Sequence, residues 1–255
     1  MSRPKTVLAK YVFLDIVGYT QNRSVEAQVY VIGELNRIVL EATKEVLGKG
    51  SERPDEMATG EPTHKVLKNV IFIPAGDGMC ICTYGDEYSY DSHLRLAKQI
   101  LIATTWYTRM TTDPMRHIQL RIGVNQNVDN LVVDINRELN IAGSGINTAQ
   151  RLMDSSEPGT IRVGQSVYDM LHQREEYMNM FERFDMVVKH DTPLTTYLYK
   201  LNLDQLVENY RLGRINSEAT KVIKMLDSSS IGIVGAGVSK REESQRKDAL
   251  TKKPN

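Results

Sequence analysis

The stretch that decides the fold is Lys10-Tyr-Val-Phe-Leu-Asp-Ile-Val17, a nearly continuous apolar run that Gly18 ends. Such a run is typical of a buried β-strand, and the carboxylate inside it is out of place unless it has a function. From Ser24 onward, apolar residues recur in steps of three and four as far as Val46. This spacing predicts an amphipathic helix that stops at Gly48.

Further along the chain, two short strand-like runs flank Gly76-Asp77-Gly78, which predicts a tight hairpin. The other predicted elements are a helix at 93–110, strands at 118–124 and 131–135, a helix at 144–153, a strand at 160–163, a helix near 167–171, a final hairpin from 187–188 and 196–199, and one or two helical turns at 204–210. Residues 48–64 read as a surface loop. This order predicts an α+β fold, a ferredoxin-like split βαβ (βαββαβ) antiparallel sheet with flanking helices.

Composition and charge exclude some classes of protein function. Among 255 residues, 32 Lys+Arg balance 32 Asp+Glu, so the chain lacks the basic field of a protein that coats nucleic acid. No apolar run is long enough to span a membrane, and we expect a cytoplasmic protein. Cys80 and Cys82 are expected to be buried thiols on one face of a strand. A folded domain is predicted at 1–203, followed by a partly disordered extension at 204–255.

Two carboxylates are the first candidate site. Asp15 ends the apolar strand and Asp77 lies at the tip of the hairpin, and a split βαβ sheet can place them side by side. Two close carboxylates repel each other unless a cation joins them, and Mg²⁺ or Mn²⁺ prefers such oxygen ligands. The alternative is that Asp77 is only a turn residue.

A second candidate is the segment that ends in Gly145-Ile-Asn147-Thr-Ala-Gln-Arg151. Its glycines precede a predicted helix, so free backbone N–H groups there could bind phosphate. Asn147 and Arg151 are four residues apart and share a helix face. Arginine can stabilise a transferring phosphoryl group. The alternative is that the segment is an ordinary helix N-terminus whose polar side chains are only exposed to solvent.

Taken together, these segments resemble the catalytic domain of class III nucleotide cyclases over about residues 10–200. Four motifs occur in the order and approximate spacing of that family: Phe13-Leu-Asp15-Ile-Val-Gly18-Tyr-Thr20, Gly76-Asp77-Gly78, Arg121-Ile-Gly-Val124 and Gly145-Ile-Asn147-Thr-Ala-Gln-Arg151. The resemblance implies two-metal cyclisation of a nucleoside triphosphate in a homodimer. One subunit would supply both aspartates, and the other the asparagine and the arginine.

The resemblance also assigns roles to individual residues. It implies that Asp15, Asp77 and the Ile16 carbonyl bind two Mn²⁺ or Mg²⁺ ions, and that Asn147 positions the ribose while Arg151 stabilises the transition state. The triphosphate contacts implied are Gly18, Tyr19, Thr20 and Lys189.

The base-reading positions depart from the family. Adenylate cyclases use lysine and aspartate, and guanylate cyclases typically use glutamate and cysteine, where this chain has Ile73 and Asn140. Stand-alone Pycsar-type pyrimidine cyclases, which make cyclic UMP or cyclic CMP in antiphage defence, are similar in this respect. An asparagine amide both donates and accepts hydrogen bonds, so we expect UTP first and CTP next, with the product read by a separate effector that binds cyclic nucleotides.

Two alternatives stay open within the resemblance: a purine cyclase with unusual base contacts, and a non-catalytic domain that binds nucleotide. A third, a ferredoxin-like binding module without nucleotide chemistry, is weaker because the chain is neutral and lacks an aromatic RNA-binding motif.

Overall fold

The computed structural model describes residues 5–48, 67–188 and 192–211 of the chain. Its strands are β1 Lys5–Ile16, β2 Val70–Ala75, β3 Gly78–Tyr84, β4 Leu120–Val133, β5 Leu139–Ala142, β6 Ile161–Gly164, β7 Phe181–Val188 and β8 Thr192–Tyr199. Its helices are α1 Val25–Leu47, α2 Ser92–Met110, α3 Ser144–Asp154, α4 Gln165–Leu171 and α5 Leu203–Arg211.

The strands of the described ranges form one sheet in the order β2-β3-β1-β4-β6-β8-β7, with β5 paired to β4. The pairings are antiparallel except for β4 with β6, which run parallel. A sheet that is mostly antiparallel, with helices packed against it, confirms the α+β prediction. Strand β1 lies between β3 and β4, so the carboxylate near its end has neighbours on both sides.

Alternation along β1 divides its side chains between two faces of the sheet. Val12 and Leu14 pack with α1 and α2 in the larger core, whereas Tyr11 and Phe13 pack with α3 in a smaller cluster. Asp15 continues the second series and therefore lies on the α3 face. Both cysteines are buried in that smaller cluster, as expected.

The predicted first helix is confirmed at both ends. The Ser24 hydroxyl caps α1 by accepting a hydrogen bond from the Ala27 amide, and the helix stops at Gly48. Of the stripe predicted from the spacing, Leu35, Val39, Ala42 and Val46 are buried, whereas Val25 and Val29 near its start are exposed. No helix among the described residues is long and apolar enough to cross a bilayer.

One prediction of secondary structure is wrong. The strands expected at 118–124 and 131–135 are parts of one 14-residue strand, β4, and its partner β5 was not predicted. The polar run at 125–130 interrupts the apolar pattern, yet its side chains find partners across the fold. The Asn125 amide donates to the Gly145 carbonyl, and the Gln126 amide donates to the Ser166 carbonyl.

Some predicted features lie outside the described residues: Lys189, the segment 49–64 of the predicted loop, and the extension from residue 212 onward. The described part of the extension contains α5, where Val207 packs in one cluster with Ile102 and Trp106 of α2.

Candidate active site

The two carboxylates singled out in the sequence lie at the end of β1 and in the hairpin turn that leads into its neighbour β3. Asp15 is the second-last residue of β1, and Asp77 occupies the turn between β2 and β3. The register pairs Leu14 with Met79, which brings Gly78 beside Asp15. A Cβ on Gly78 would lie 2.2 Å from the Leu14 carbonyl oxygen and 3.0 Å from the Asp15 Cα, so only glycine allows the hairpin to approach this closely.

Asp15 is held by an arginine from the strand on its other side. Arg121 stands opposite Asp15 in the β1–β4 register, and its Nε and Nη2 both donate to Asp15 Oδ2, at 3.0 and 2.8 Å. Asp15 is 15% exposed and Arg121 32%, so the pair is only partly open to water. Because both bonds use Oδ2, the Oδ1 oxygen has no partner in the described part of the chain and is available to a further ligand.

Sequence reasoning assigned no role to Arg121. The signal was nevertheless available, because a charged residue within the apolar run from Ile118 to Val124 is as unexpected as Asp15 within its own run. Arg121 also reaches the end of α3, where its Nη1 donates to the Asp154 carbonyl at 3.4 Å.

Asp77 differs from Asp15 because it has no hydrogen-bond or ionic partner among the described residues. Two carboxylates, one of them unpaired, form a donor set that suits a hard divalent cation with phosphate and water as its remaining ligands. The described residues contain no cluster of three or more His, Cys, Asp or Glu that could hold a metal without such help. Ile16, the residue expected to add a carbonyl, ends β1 beside Asp15.

The turn after β1 offers unused hydrogen-bond donors. Gly18 has a φ of +63°, a left-handed conformation that glycine adopts without strain. The amides of Tyr19 and Thr20 donate no hydrogen bond to any described residue. Adjacent unpaired N–H groups in a turn of this kind can bind an anion.

Asn147 and Arg151 share the outer face of α3. The buried residues of this helix are Gly145, Ala149, Leu152 and Met153, which form a stripe facing the sheet. Asn147 and Arg151 lie on the opposite side, are exposed, and have no partner among the described residues. No described contact joins either side chain to Asp15 or Asp77 of the same chain.

One amide at the start of α3, where the sequence predicted amides free to bind phosphate, is already engaged within the protein. A buried carboxylate, Asp129 of β4, accepts hydrogen bonds from the Gly145 amide at 3.0 Å and from the Tyr11 hydroxyl. A Cβ on Gly145 would lie 2.3 Å from Asp129 Oδ2, so the glycine makes room for the carboxylate. Burial, assisted by this bond, raises the pKa of Tyr11. The anion at this helix terminus belongs to the protein itself.

The two base-reading candidates lie in β2 and β5. Ile73 is half-buried and packs against the apolar cluster on the α3 face, which includes Ile71 and Ile141. Asn140 is also half-buried, and its Oδ1 accepts a hydrogen bond from the Ile141 amide at 2.7 Å. That bond fixes the orientation of the amide group and leaves its Nδ2 without a partner among the described residues.

The chain matches one protein family and several solved structures. The family described as "Adenylate and Guanylate cyclase catalytic domain" matches residues 55–201. No curated protein sequence matches the chain. Among solved structures, the guanylate cyclase domain of RhGC from Catenaria anguillulae in complex with GTP is 20% identical with a TM-score of 0.54, over 76% of this chain and 97% of that chain.

Two other solved structures are similar at the level of the fold. The adenylyl cyclase CyaB from P. aeruginosa is 18% identical with a TM-score of 0.51, over 77% of this chain and 95% of that chain. The non-canonical dimeric guanylyl cyclase domain from Blastocladiella emersonii is 18% identical with a TM-score of 0.53, over 76% and 97%.

Proposed function

The chain belongs to the family of adenylate and guanylate cyclase catalytic domains, and from that premise we propose that it cyclises a pyrimidine nucleotide. The favoured substrate is UTP, with CTP next, and the products are the 3′,5′-cyclic monophosphate and pyrophosphate. The observation that carries the proposal is Ile73, an apolar side chain in an apolar cluster where the purine cyclases described above have a charged residue.

The orientation of Asn140 supports UTP over CTP. Its Oδ1 is engaged by the Ile141 amide, so the Nδ2 group, which has no partner among the described residues, is the part of the side chain left to bind a base. Uracil carries a carbonyl oxygen at position 4, which accepts such a bond, whereas cytosine carries an amino group there, which cannot. A site whose donor meets a donor leaves both unpaired, which lowers the affinity for the wrong base.

Three observations support an active site shared between two copies of the chain. The Asn147 and Arg151 side chains point away from their own sheet and have no partner within the described ranges, so a second chain could use them. Near the β4–β5 turn, Val133 is 68% exposed and Ile135 is 96% exposed, an apolar tip that a partner could cover. The solved Blastocladiella emersonii domain is dimeric.

In the proposed reaction, the ribose 3′-oxygen attacks the α-phosphorus. The new bond joins O3′ to that phosphorus, the bond to pyrophosphate breaks, and the 3′-hydroxyl loses its proton. Asp15 and Asp77, with the Ile16 carbonyl, would hold two divalent ions, Mn²⁺ or Mg²⁺. When bound, such ions lower the pKa of the hydroxyl and neutralise phosphate charge.

The protein's own groups act around that centre. Arg121 keeps the Asp15 carboxylate in one orientation through two hydrogen bonds. Arg151 of the second chain would neutralise charge that develops on the α-phosphate, and Asn147 of that chain would position the ribose. The free amides of the β1–α1 turn, at Tyr19 and Thr20, would bind the terminal phosphates. Lys189 is proposed as a further phosphate contact.

The biological proposal follows from the product. A cyclic pyrimidine nucleotide would act as an alarm signal in Pycsar-type antiphage defence and would be read by a separate effector that binds cyclic nucleotides. The reaction requires neither nucleic acid nor a membrane, and the proposed compartment is the cytoplasm.

The test is product analysis by mass spectrometry. The full chain is incubated with Mn²⁺ and each of UTP, CTP, GTP and ATP, separately and in competition, beside Asp77→Ala as the inactive control. Cyclic UMP or cyclic CMP as the dominant product supports the proposal. Cyclic AMP or cyclic GMP as the dominant product overturns the pyrimidine assignment, and no product from any of the four overturns the catalytic proposal.

A further inference from the structure

Arg23 makes an unusual number of backbone contacts. It follows the β1–α1 turn and immediately precedes Ser24, the cap of α1. Its Nη1 donates to the carbonyl oxygens of Gly18 at 2.8 Å and Tyr19 at 3.0 Å. Its Nε donates to the Met115 carbonyl at 3.0 Å, and its Nη2 donates to the His117 carbonyl at 2.6 Å. One guanidinium thus joins the turn to the segment before β4.

These contacts determine which way the turn presents its amides. In a planar trans peptide, the C=O of one residue and the N–H of the next point in opposite directions. Arg23 Nη1 holds the Gly18 and Tyr19 carbonyls, so the N–H groups of Tyr19 and Thr20 point away from the guanidinium. These are the two amides that donate to no described residue.

We propose that Arg23 is a positioning residue that holds the β1–α1 turn as a preformed phosphate-binding surface. Without it, the Tyr19 carbonyl would have no partner among the described residues and the Gly18 carbonyl would keep only the Gln21 amide at 3.0 Å, so these oxygens could rotate toward the nucleotide and repel its terminal phosphates. A fixed guanidinium removes this cost before the substrate arrives, as preorganised donors do. The proposal rests on the proposed function only for the identity of the ligand, a nucleoside triphosphate.

The segment beyond the turn, to which Arg23 is anchored, has hydrogen bonds of its own. The Asp113 carboxylate caps the short 3-10 helix Pro114–Arg116 by accepting from the Met115 amide, and the His117 ring bonds to the Thr111 carbonyl. Arg23 therefore ties the turn to a braced segment. Lysine cannot replace it, because an ammonium on a flexible stem lacks the planar fork that reaches both sides at once.

The experiment compares Arg23→Ala and Arg23→Lys with Arg116→Ala. Arg116 is a matched control because it lies close by, carries the same charge, and contacts Asp113 and the Tyr30 ring without bonding to the turn. KM for the triphosphate, kcat, and the inhibition constant of Mn²⁺-pyrophosphate are measured, and calorimetry follows the binding of Mn²⁺-pyrophosphate without turnover.

We expect KM and the pyrophosphate inhibition constant to rise together in both Arg23 variants, by about tenfold or more, the size of one lost charge-assisted hydrogen bond. Arg116→Ala keeps the wild-type values. Guanidinium ion added to Arg23→Ala should restore part of the affinity, because it can occupy the vacated space. A merely destabilising change lowers the active fraction, and hence kcat, while leaving KM unchanged.

Failure of the two proposals is distinguishable. If the wild type forms no cyclic nucleotide but binds Mn²⁺-pyrophosphate in an Arg23-dependent way, the catalytic proposal fails and the role of Arg23 stands. If Arg23→Ala binds pyrophosphate as tightly as the wild type, the role of Arg23 is refuted whether or not the enzyme cyclises. If the wild type binds no pyrophosphate, the role of Arg23 is refuted, and product analysis alone decides the catalytic proposal.

Discussion

Acid should destabilise this protein through one buried histidine. His93 is the second residue of α2, is 1% exposed, and neither of its ring nitrogens has a partner among the described residues. Burial, with the nearby positive charge of Lys10, lowers the pKa of His93 to about 3. Asp91 acts in the opposite direction and does not outweigh the other two causes.

The sign and size of the effect follow from proton linkage. The folded state keeps His93 neutral down to about pH 3, while in the unfolded chain it takes up a proton near its ordinary pKa of about 6.5. The contribution to stability is therefore fully present above about pH 6.5 and is lost as the pH falls from there toward 3. Between about pH 7.5 and about pH 5, the loss is about 2 kcal/mol for this one group.

Urea denaturation at these two pH values, at one protein concentration, measures the loss. His93→Leu has a similar volume and removes two unpaired polar atoms, so we expect it to be as stable as the wild type at the higher pH. On acidification it should lose about 2 kcal/mol less than the wild type. His172→Gln is the control, because that ring is only half-buried and bonds to the Tyr168 carbonyl. If His93→Leu and the wild type lose the same stability, the reasoning is refuted.

Three other perturbations test the site and its assembly. Asp77→Ala and Arg151→Ala should each be inactive. After subunit exchange, an equal mixture of the two should recover about a quarter of the wild-type activity, because half of the dimers are mixed and each of these has one complete site of two. A mixture that forms heterodimers and stays inactive contradicts the shared site. Asp129→Ala should lower the free energy of unfolding by about 3 kcal/mol, because two buried donors lose their acceptor. Asp129→Asn keeps an oxygen for these donors and should lose less stability. Equal losses of the two variants in urea denaturation would argue against this explanation. Ile135→Asp should shift the protein toward monomers in sedimentation and reduce activity in parallel, while Val29→Asp on the exposed side of α1 should do neither.

Local patterns in the sequence accounted for most of the fold. The apolar run before Val17, the three-and-four spacing after Ser24, and the glycines around Asp77 each depend on neighbours a few residues away, and the corresponding strand, helix and hairpin are confirmed. The wrong prediction of two separate strands in place of the single strand β4 has the opposite origin. Its polar middle could be recognised as a strand only once Asn125 and Asp129 had found partners 16 to 20 residues along the chain.

The same distinction holds for the candidate site. The sequence by itself determined the family resemblance, the two aspartates, and the helix that carries Asn147 and Arg151, because each residue stands out against its local pattern. Only the tertiary structure showed that Arg121 holds Asp15, 106 residues away, and that Arg23 reaches the carbonyls before β4, 92 and 94 residues away. These partners are set by strand register and by chain segments that meet only after folding, and no short-range pattern encodes such contacts.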